Sequence, residues 1–456
     1  MMFNVILIVC DSLRKDTGER YGKILSKYNF KYYSRVITPA TWTLPSHVSL
    51  FTGLYPLQYK IHETKNSRAL LNIKITSKQY DFLITNFLKT KQYILLCYSA
   101  NPYISPVFGF KFFDKHYLYP PYMNILSIKE RKEIKYLLEI KKLSRIDILI
   151  KYFRERKYIL LFKIILQAIL DRFIKIKKIF LSYFKSIVID KGAKDILSRV
   201  VHDYKHNSEL TKNPYFIFIN FMEMHEPYLT KKSQDISEYV KFNKKIRGKI
   251  NDKLIKKAYE KSAEYLMNKI DLFLKFLKKY DNFENTLIII TSDHGQLLGE
   301  HDKYGHGVYL DDELLMVPLW IKYPKNYKLI ERESKGRWIT LVNIKKFIIK
   351  SLENGVFDEG YLYSNCVFSE SYGVHRDIPL NKIDEPEKYN YWNKYRIAIY
   401  YKDYKGIFNV TDWKFEEIIT YDPKIEITED VVKHMKKEVL KFLKTATIAK
   451  VPKVKL

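Results

Sequence analysis

Short apolar runs recur along the chain, and several of them end in polar residues that can carry chemistry. Continuous runs of this length are typical of strands buried on both faces of a sheet. Between the runs lie helical patterns, such as Leu266, Ile270 and Phe273, which repeat on one face just before the run at Leu287. Strands that alternate with helices predict an α/β domain with a mostly parallel sheet. The candidate strands are Val5–Cys10, Tyr93–Tyr98, Tyr215–Phe221, Leu287–Thr291, Met316–Ile321 and Val367–Phe368.

The stretch Met123–Lys191 interrupts this alternation, because it contains neither proline nor glycine. Residues 129–188 hold seventeen Lys/Arg against six Asp/Glu, a local net charge of +11. Within them, Tyr158–Leu181 shows a narrow polar stripe and a wide apolar face at helical spacing. We therefore expect a basic helical insertion at about 123–205. Its apolar face fits a helical hairpin packed on the domain, and it also fits a surface that contacts an anionic membrane through 123–191.

The pattern changes again towards the C-terminus. A polar loop leads into Arg396–Tyr400, and a turn separates that segment from Ile407–Asn409. Two short β-prone segments around such a turn predict an antiparallel hairpin. We expect a catalytic domain over 1–375 and a small antiparallel subdomain over 376–456, which contains a last helix at about Glu429–Leu443.

The net charge is unusual, since 80 Lys+Arg against 51 Asp+Glu give +29 over 456 residues. Such a surface attracts anions, which include nucleic acids, acidic lipid headgroups and sulfated or phosphorylated substrates. A general preference for lysine throughout the chain would explain the same net charge without any anionic partner. The sequence contains no helix-turn-helix, zinc-finger or RNA-binding motif, so no specific nucleic-acid partner is expected. A non-catalytic protein that binds polyanions stays open as an alternative.

The three cysteines, Cys10, Cys97 and Cys366, lie far apart in apolar runs. Their spacing fits neither a metal site nor a disulfide framework, and buried free thiols are expected. The N-terminus shows neither the basic region nor the cleavage site of a signal peptide. The apolar runs are too short, or too interrupted by charge, for a membrane-spanning helix. These features predict a cytoplasmic protein. Peripheral contact with a membrane is compatible with this prediction.

Candidate ligands follow several of the predicted strands directly. Asp11 follows the first strand, and Asp293 and His294 follow the strand at Leu287. Glu223 and His225 follow the strand at Tyr215. Because ligands of open α/β sheets bind beyond the carboxyl ends of the strands, these side chains are expected near one edge. Oxygen and imidazole donors together suit a divalent cation, although any single Asp at a strand end is also typical of a turn.

The segment Thr41–Gly53 predicts a short helix whose first residues lie beside Thr43. Pro45 suits a first helical position, and Gly53 suits a C-terminal cap. The exposed N–H groups at such a helix N-terminus favour a bound phosphate or sulfate. A threonine hydroxyl there can become a nucleophile when a cation activates it. Taken alone, however, the pattern favours a simple helix cap at Thr43.

Several of these segments resemble motifs of the sulfatase and alkaline-phosphatase superfamily. Thr43–Gly53 (TLPSHVSLFTG) resembles the sulfatase signature, in which a Cys or Ser lies two residues before Pro-Ser. Further matches follow in family order at Asn4–Arg14, Phe218–Tyr228, Thr291–Pro318 and Tyr395–Phe408, whereas the helical insertion is not covered. The resemblance implies an alkaline-phosphatase-like three-layer sandwich that acts as a metal-dependent hydrolase or transferase. Its anionic substrate would be a sulfate or phosphate ester.

The resemblance also implies which residues hold the metal. By matching position, Asp11, Asp293 and His294 bind a divalent cation together with the hydroxyl of Thr43. The donor types leave Mn, Mg, Ca and Zn open. A further set of residues could contribute to a second cation site, or serve structural roles, and comprises His62, Glu223, His301 and Asp302.

Catalytic roles follow in the same way. Thr43 stands at the nucleophile position, and His225 stands where the family has a histidine that contacts the ester oxygens or the leaving group. His306 stands where sulfatases commonly have a lysine that reaches the substrate. Two departures matter, since His47 replaces the usual arginine of the signature and Ser12 replaces a frequent second aspartate. Threonine cannot form the formylglycine that many sulfatases make from Cys or Ser. The resemblance therefore favours a phosphate ester or diester over a sulfate ester.

Overall fold

The computed structural model describes residues 2–59, 83–119, 128–139, 141, 143–169, 190–226, 228, 252–279, 283–373 and 386–446. Contacts divide the chain into two units. The larger unit comprises residues 1–119, 190–229 and 250–456, and the smaller unit comprises residues 120–189 and 230–249. Within the described ranges, no helix combines the length and the hydropathy that crossing a bilayer requires.

The strands of the described residues all belong to the larger unit, and some are only two residues long. In chain order they are β1 (Asn4–Cys10), β2 (Lys31–Tyr33), β3 (Val36–Ile37), β4 (Ile94–Ser99), β5 (Lys115–Leu118), β6 (Tyr215–Phe221), β7 (Thr286–Thr291), β8 (Leu297–Leu298), β9 (Tyr304–Gly305), β10 (Leu319–Lys322), β11 (Lys328–Ile330), β12 (Trp338–Thr340), β13 (Val356–Asp358), β14 (Tyr363–Ser364), β15 (Cys366–Ser371), β16 (Arg396–Tyr401), β17 (Tyr404–Asn409) and β18 (Lys414–Thr420).

A seven-stranded sheet forms the centre of the larger unit, in the order β2-β10-β7-β1-β6-β4-β5. β1 pairs in parallel with both β6 and β7, and β4 pairs in parallel with β5 and β6. β10 runs antiparallel to its two neighbours, β7 and β2. The prediction of a mostly parallel sheet is therefore confirmed.

Helices cover both faces of this sheet. The α-helices of the larger unit are Lys15–Tyr21, Thr43–Thr52, Pro56–Tyr59, Ile84–Thr90, Ala193–His206, Glu209–Lys212, Asp252–Lys279, Asp312–Leu315, Val342–Asn354, Pro386–Trp392 and Glu429–Lys444. Short 3₁₀ helices lie at Gly22–Tyr28, Pro106–Phe108, Glu300–Asp302 and Glu359–Tyr361. Sheet and helices form the expected three-layer sandwich.

The alternating side chains of β1 show why the strand is apolar throughout. Val5, Leu7 and Val9 pack into one hydrophobic cluster with the helices at Thr43–Thr52 and Val342–Asn354. The intervening side chains of β1, which include Ile6 and Ile8, pack into a second cluster on the other face with the helices at 193–206 and 252–279. Each such buried aliphatic side chain contributes roughly 1.5–3 kcal/mol, so both faces hold the strand in register.

The C-terminal part of the larger unit is a four-stranded antiparallel sheet in the order β15-β16-β17-β18. The run at Val367–Phe368, expected as a central strand, lies in this sheet as β15, where Phe368 pairs with Ile399 of β16. Phe368 also stacks on Phe442 of the helix Glu429–Lys444, at 4.2 Å between ring centroids. The antiparallel subdomain thus begins about ten residues before the expected boundary at 376, because the packing partners of β15 lie on its C-terminal side.

The smaller unit is helical, as the insertion predicts. Its described helices are Ile128–Glu139, Arg145–Arg154 and residues 158–169, while 170–181 of the expected amphipathic segment lie outside the described residues. Leu137, Ile148 and Tyr152 form its buried core. The unit ends earlier than the expected 123–205, because the helix Ala193–His206 buries its apolar face in the core of the larger unit.

Candidate active site

Three buried donor groups meet beyond the carboxyl ends of two adjacent strands. Asp11 follows β1, and Asp293 and His294 follow β7, its parallel neighbour. Carboxylate and imidazole donor atoms of these residues all lie within 4.8 Å of one another, and each residue is at most 1% exposed. The structure thus brings together three of the five residues that the strand-end pattern singled out, whereas Glu223 and His225 do not join this group.

Thr43 completes this cluster from the N-terminus of its helix. Trp42 is in extended conformation before the helix, so the chain enters the first turn with Thr43 facing the strand ends. The Thr43 Oγ1 lies 3.2 Å from Asp11 Oδ2 and 3.3 Å from His294 Nε2. The residue is 3% exposed. Thr43 therefore contacts two of the three donor residues instead of capping its own helix.

Two hydrogen-bonding patterns show that these donors fit a divalent cation. His294 Nδ1 donates to the carbonyl of Gly295 at 2.8 Å, which leaves the lone pair of a neutral ring on Nε2, the atom that faces the cluster. Asp293 Oδ1 accepts from the backbone N–H groups of Ser12 and His294. Among the described residues, buried Asp293 Oδ2 has no hydrogen-bond partner. A buried carboxylate oxygen of this kind is expected where a cation binds.

The electrostatics of the two carboxylates agree with that arrangement. Burial and the charge of Asp11 raise the pKa of Asp293 well above its ordinary value. Burial alone would also raise the pKa of Asp11, but the interaction with His225 and a hydrogen bond that the Ser12 hydroxyl donates at 2.9 Å hold it below its ordinary value. Two carboxylates this close and this buried repel each other unless a proton or a cation lies between them.

The two predicted catalytic histidines lie next to the cluster. The ring of His306 is 4.5 Å from that of His294 and 5.1 Å from that of His225, measured between centroids. His306 Nδ1 donates to Gln296 Oε1 at 2.7 Å, and His225 Nδ1 donates to the carbonyl of Glu226 at 2.8 Å. These bonds orient both rings through Nδ1.

His47 brings no positive charge to the site, although the family signature has an arginine at this position. Its Nδ1 donates to the carbonyl of Thr43 at 2.8 Å, and Asn220 donates to its Nε2 at 3.4 Å. Burial lowers the pKa of His47 to about 4, so the ring is neutral at physiological pH. His47 therefore holds the turn that carries Thr43 and leaves the anion's charge to other groups.

Asn101 is a site residue that the sequence reasoning missed. It follows β4, and its Nδ2 donates to Asp11 Oδ2 at 2.7 Å. Its own Oδ1 accepts from the backbone of Tyr103 at 2.9 Å, which fixes the direction of the amide. The strand-end rule that found Asp11 would have found Asn101 as well, had amides been included with carboxylates and imidazoles.

Lys191 is a second missed residue, and it has no recognisable sequence signal. Its ammonium group donates to the carbonyl of His225. Its backbone N–H and that of Ala193 donate to Glu223 Oε1 at 3.2 and 2.8 Å. Burial lowers the pKa of Lys191 to about 8, while burial and then Asp190 raise the pKa of Glu223 to about 7. Lys191 and Glu223 thus anchor the loop that carries His225.

No second cation site forms within the described ranges, where the cluster of Asp11, Asp293 and His294 is the one group with suitable donor spacing. Glu223 accepts backbone hydrogen bonds instead, and His301 and Asp302 lie in a short 3₁₀ helix without joining such a group. His62 lies outside the described residues.

Fold and site together define an α/β protein of the alkaline-phosphatase-like class. The chain belongs to the sulfatase family, whose family model matches residues 3–337. The family expected from the motifs is therefore confirmed.

Solved structures share this fold over nearly the whole chain. The phosphonate monoester hydrolase SpPMH from Silicibacter pomeroyi has a TM-score of 0.59 at 12% identity, over 97% of this chain and 95% of that one. BT1596, a 2-O GAG sulfatase, has a TM-score of 0.59 at 12% identity, over 98% of this chain and 93% of that one. At these identities the likeness concerns the fold alone.

Curated relatives match over shorter segments. An arylsulfatase of Clostridium perfringens is 28% identical over 137 residues, which is 25% of this chain and 28% of the relative. The low-salt glycan biosynthesis sulfotransferase Agl7 of Haloferax volcanii is 46% identical over 67 residues, which is 13% of this chain and 15% of the relative. The chain thus aligns with less than a third of the length of either protein.

Proposed function

We propose that the chain is a divalent-cation-dependent enzyme that acts on phosphate esters or diesters, with Thr43 as its nucleophile. The observation that carries this proposal is the position of Thr43 Oγ1, within 3.3 Å of both Asp11 and His294 at a helix N-terminus. A hydroxyl held only as a helix cap would bond to its own helix, and that of Thr43 does not. Family membership allows sulfate esters as well as phosphate esters, and the proposal selects the phosphate esters.

A divalent cation held by Asp11, Asp293 and His294 would neutralise the carboxylates and favour the deprotonated form of the Thr43 hydroxyl. The chain's own groups perform the remaining steps. The N–H groups of the first helical turn bind the anionic oxygens of the ester. Thr43 Oγ1 forms a bond to phosphorus while the bond to the leaving oxygen breaks, and Asp11 Oδ2 is positioned to accept the hydroxyl proton. His225 or His306 donates a proton to the leaving oxygen.

The identity of the nucleophile supports phosphate over sulfate. A threonine in this position cannot be converted to the aldehyde used by formylglycine sulfatases, so it must attack as a hydroxyl. SpPMH, with the same fold, is named as a hydrolase of phosphonate monoesters, which are phosphorus esters. Because His47 is neutral, the negative charge of the ester is balanced by other groups, which include the cation and Lys191.

The group bound to Thr43 must then pass to an acceptor. Water as acceptor gives hydrolysis, and an alcohol gives group transfer. In either case the acceptor oxygen bonds to phosphorus and gives its proton to the histidine that protonated the leaving oxygen, while the bond to Thr43 Oγ1 breaks and Thr43 regains its proton from Asp11. The name of Agl7, a sulfotransferase of glycan biosynthesis, favours transfer as a second possibility for this chain. A transferase working on a lipid or a glycan at a membrane surface belongs to this second possibility.

The test is an activity panel with defined metals. Protein freed of metal is reconstituted with Mn, Mg, Ca or Zn and assayed on aryl phosphate monoesters and diesters, phosphonate monoesters and aryl sulfates. We expect metal-dependent turnover of a phosphorus ester, and a loss of about 10³-fold or more in Thr43→Ala. Thr52→Ala, at the other end of the same helix, is the matched control and should keep its turnover. Turnover of aryl sulfates alone would contradict the proposed substrate class.

A further inference from the structure

The helical insertion holds most of the exposed large apolar side chains of the described residues. Seventeen large apolar side chains are exposed among the described residues, and ten of them lie between Tyr136 and Ile169. The most exposed are Ile159 at 77%, Ile146 at 67% and Phe162 at 65%. Singly scattered apolar side chains on a surface need no explanation, whereas a concentration of them is typical of an interaction site.

The exposed side chains form two stripes at helical spacing. On the helix Arg145–Arg154 the stripe consists of Ile146, Ile150 and Phe153. On residues 158–169 the stripe consists of Ile159, Phe162, Ile165 and Ile169. Because such positions recur every three or four residues, each stripe lies on one face of its helix.

The opposite faces of the same helices are already packed. Ile148 and Tyr152 are buried in the core of the insertion, and Leu160, Leu161 and Ile164 pack against that core. The hairpin interpretation thus accounts for one face of each helix. Among the residues that the structure describes, no segment covers the two exposed stripes.

Charge identifies the class of that partner. Residues 143–169 carry six Lys/Arg and two Asp/Glu, so the helices that bear the stripes have a local net charge of +4. Both acidic groups are engaged, since Asp147 closes a capping box with Ser144 and Glu155 pairs with Lys151 and Lys157. A second copy of a chain with net charge +29 would bring like charge against this surface.

We propose that the exposed face of the insertion docks on an anionic lipid bilayer, with the stripes in the interface and the basic side chains among the headgroups. This combination of apolar stripe and basic flank is the one that holds helices in the plane of a membrane surface. Docking needs no spanning helix, in agreement with the absence of one from the described ranges. The proposal concerns the insertion alone and does not depend on the ester chemistry.

The experiment is co-sedimentation of the full-length protein with vesicles of phosphatidylcholine alone and with half its lipid replaced by phosphatidylglycerol. We expect binding to the anionic vesicles at low salt that falls steeply as ionic strength rises. Phe162→Asp should weaken binding at least about tenfold, because it places a charge in the apolar stripe. Arg145→Glu with Arg154→Glu should also weaken it at least about tenfold, because each basic residue near the surface contributes roughly fivefold.

Leu272→Asp is the matched control, because Leu272 is 56% exposed on the helix Asp252–Lys279, outside the insertion. This variant should bind as the wild type does, and every variant should keep the wild-type melting temperature and its turnover of a small soluble ester. Lack of binding by the folded wild type at low salt would overturn the proposal. So would a lipid-free dimer that Phe162→Asp dissociates, since the stripes would then be an interface between two copies.

Discussion

Replacing Asp293 by Asn should change stability in opposite directions with and without metal. The donor atoms of Asp11 and Asp293 lie within 4.8 Å of each other in a fully buried setting. At an effective dielectric constant of about 20, two unit charges at that separation repel by ~3.5 kcal/mol. Asn removes this repulsion and keeps the oxygen that accepts from Ser12 and His294.

The net gain in the metal-free protein is smaller than the full repulsion, because wild-type Asp293 can take up a proton instead. We expect metal-free Asp293→Asn to be more stable than the metal-free wild type by about 1–3 kcal/mol, or roughly 2–6 °C in melting temperature. The sign follows from the raised pKa of Asp293. Ionised Asp293 destabilises the folded state at pH values above the raised pKa, and this destabilisation disappears as the pH falls below the ordinary pKa of an Asp side chain. The advantage of Asn should therefore shrink in acid.

Adding a divalent cation should make the wild type more stable than Asp293→Asn. The wild type gains roughly 2.7 kcal/mol when the cation is at a hundred times its dissociation constant, whereas the variant gains little. Melting followed by fluorescence, with chelator and then with each metal, measures both effects.

Asp271→Asn is the control for this experiment, since Asp271 accepts from Tyr28 and pairs with Lys27 away from the cluster. It should lose stability equally with and without metal. The reasoning is refuted if metal-free Asp293→Asn is no more stable than the wild type, or if it keeps the full metal-dependent rise.

Three further predictions test other parts of the structure. Lys191→Met should lower turnover about tenfold through the loss of one charge-assisted hydrogen bond worth roughly 1.5 kcal/mol, whereas Lys191→Arg should recover most of it in the same kinetic assay. Gly295→Ala would place its Cβ 1.9 Å from the carbonyl oxygen of Glu313, so both the melting temperature and metal binding should fall, by about 3 kcal/mol in stability. A Cβ at Gly355 would have no heavy atom of another residue beyond its chain neighbours within 4 Å. Gly355→Ala should therefore lower the stability only by the roughly 1–2 kcal/mol that a non-glycine residue costs in the left-handed backbone conformation. Burial raises the pKa of Glu370 to about 7. The buried Glu370 side chain therefore destabilises the folded state increasingly as the pH rises from the ordinary pKa of a Glu side chain towards 7. Denaturant titrations should show a fall in stability over that pH range in the wild type and a smaller fall in Glu370→Gln.

The central strands could be predicted from the sequence because burial on both faces makes them apolar throughout. β1 and β7, with their flanking Asp11 and Asp293, stand out for this reason. The edge strands β2 and β5 were missed, since they are short and their side chains are mostly half-buried, which leaves no continuous apolar run. β15 was placed in the wrong sheet because its partners come later in the chain.

The metal-binding candidates were found through strand ends and the family motif, whereas other site residues carry no local pattern. Lys191 is one of 80 basic residues, and only the fold shows that it contacts the His225 loop. The neutrality of His47 likewise depends on burial by distant segments. The exposed stripes of the insertion could not be separated from its packed face until Ile148 and Tyr152 showed which face is inside.

The central claim is that Thr43 attacks the ester and then passes the bound group to an acceptor. Stereochemistry at phosphorus tests this most directly. The substrate is an aryl phosphorothioate monoester made chiral by two oxygen isotopes, and the metal-loaded wild type hydrolyses it in water that carries the third oxygen isotope, so the thiophosphate product is chiral. Two successive in-line displacements, first by Thr43 and then by water, predict net retention of configuration. Net inversion would mean a single displacement by water and would contradict the assignment of Thr43 as the nucleophile.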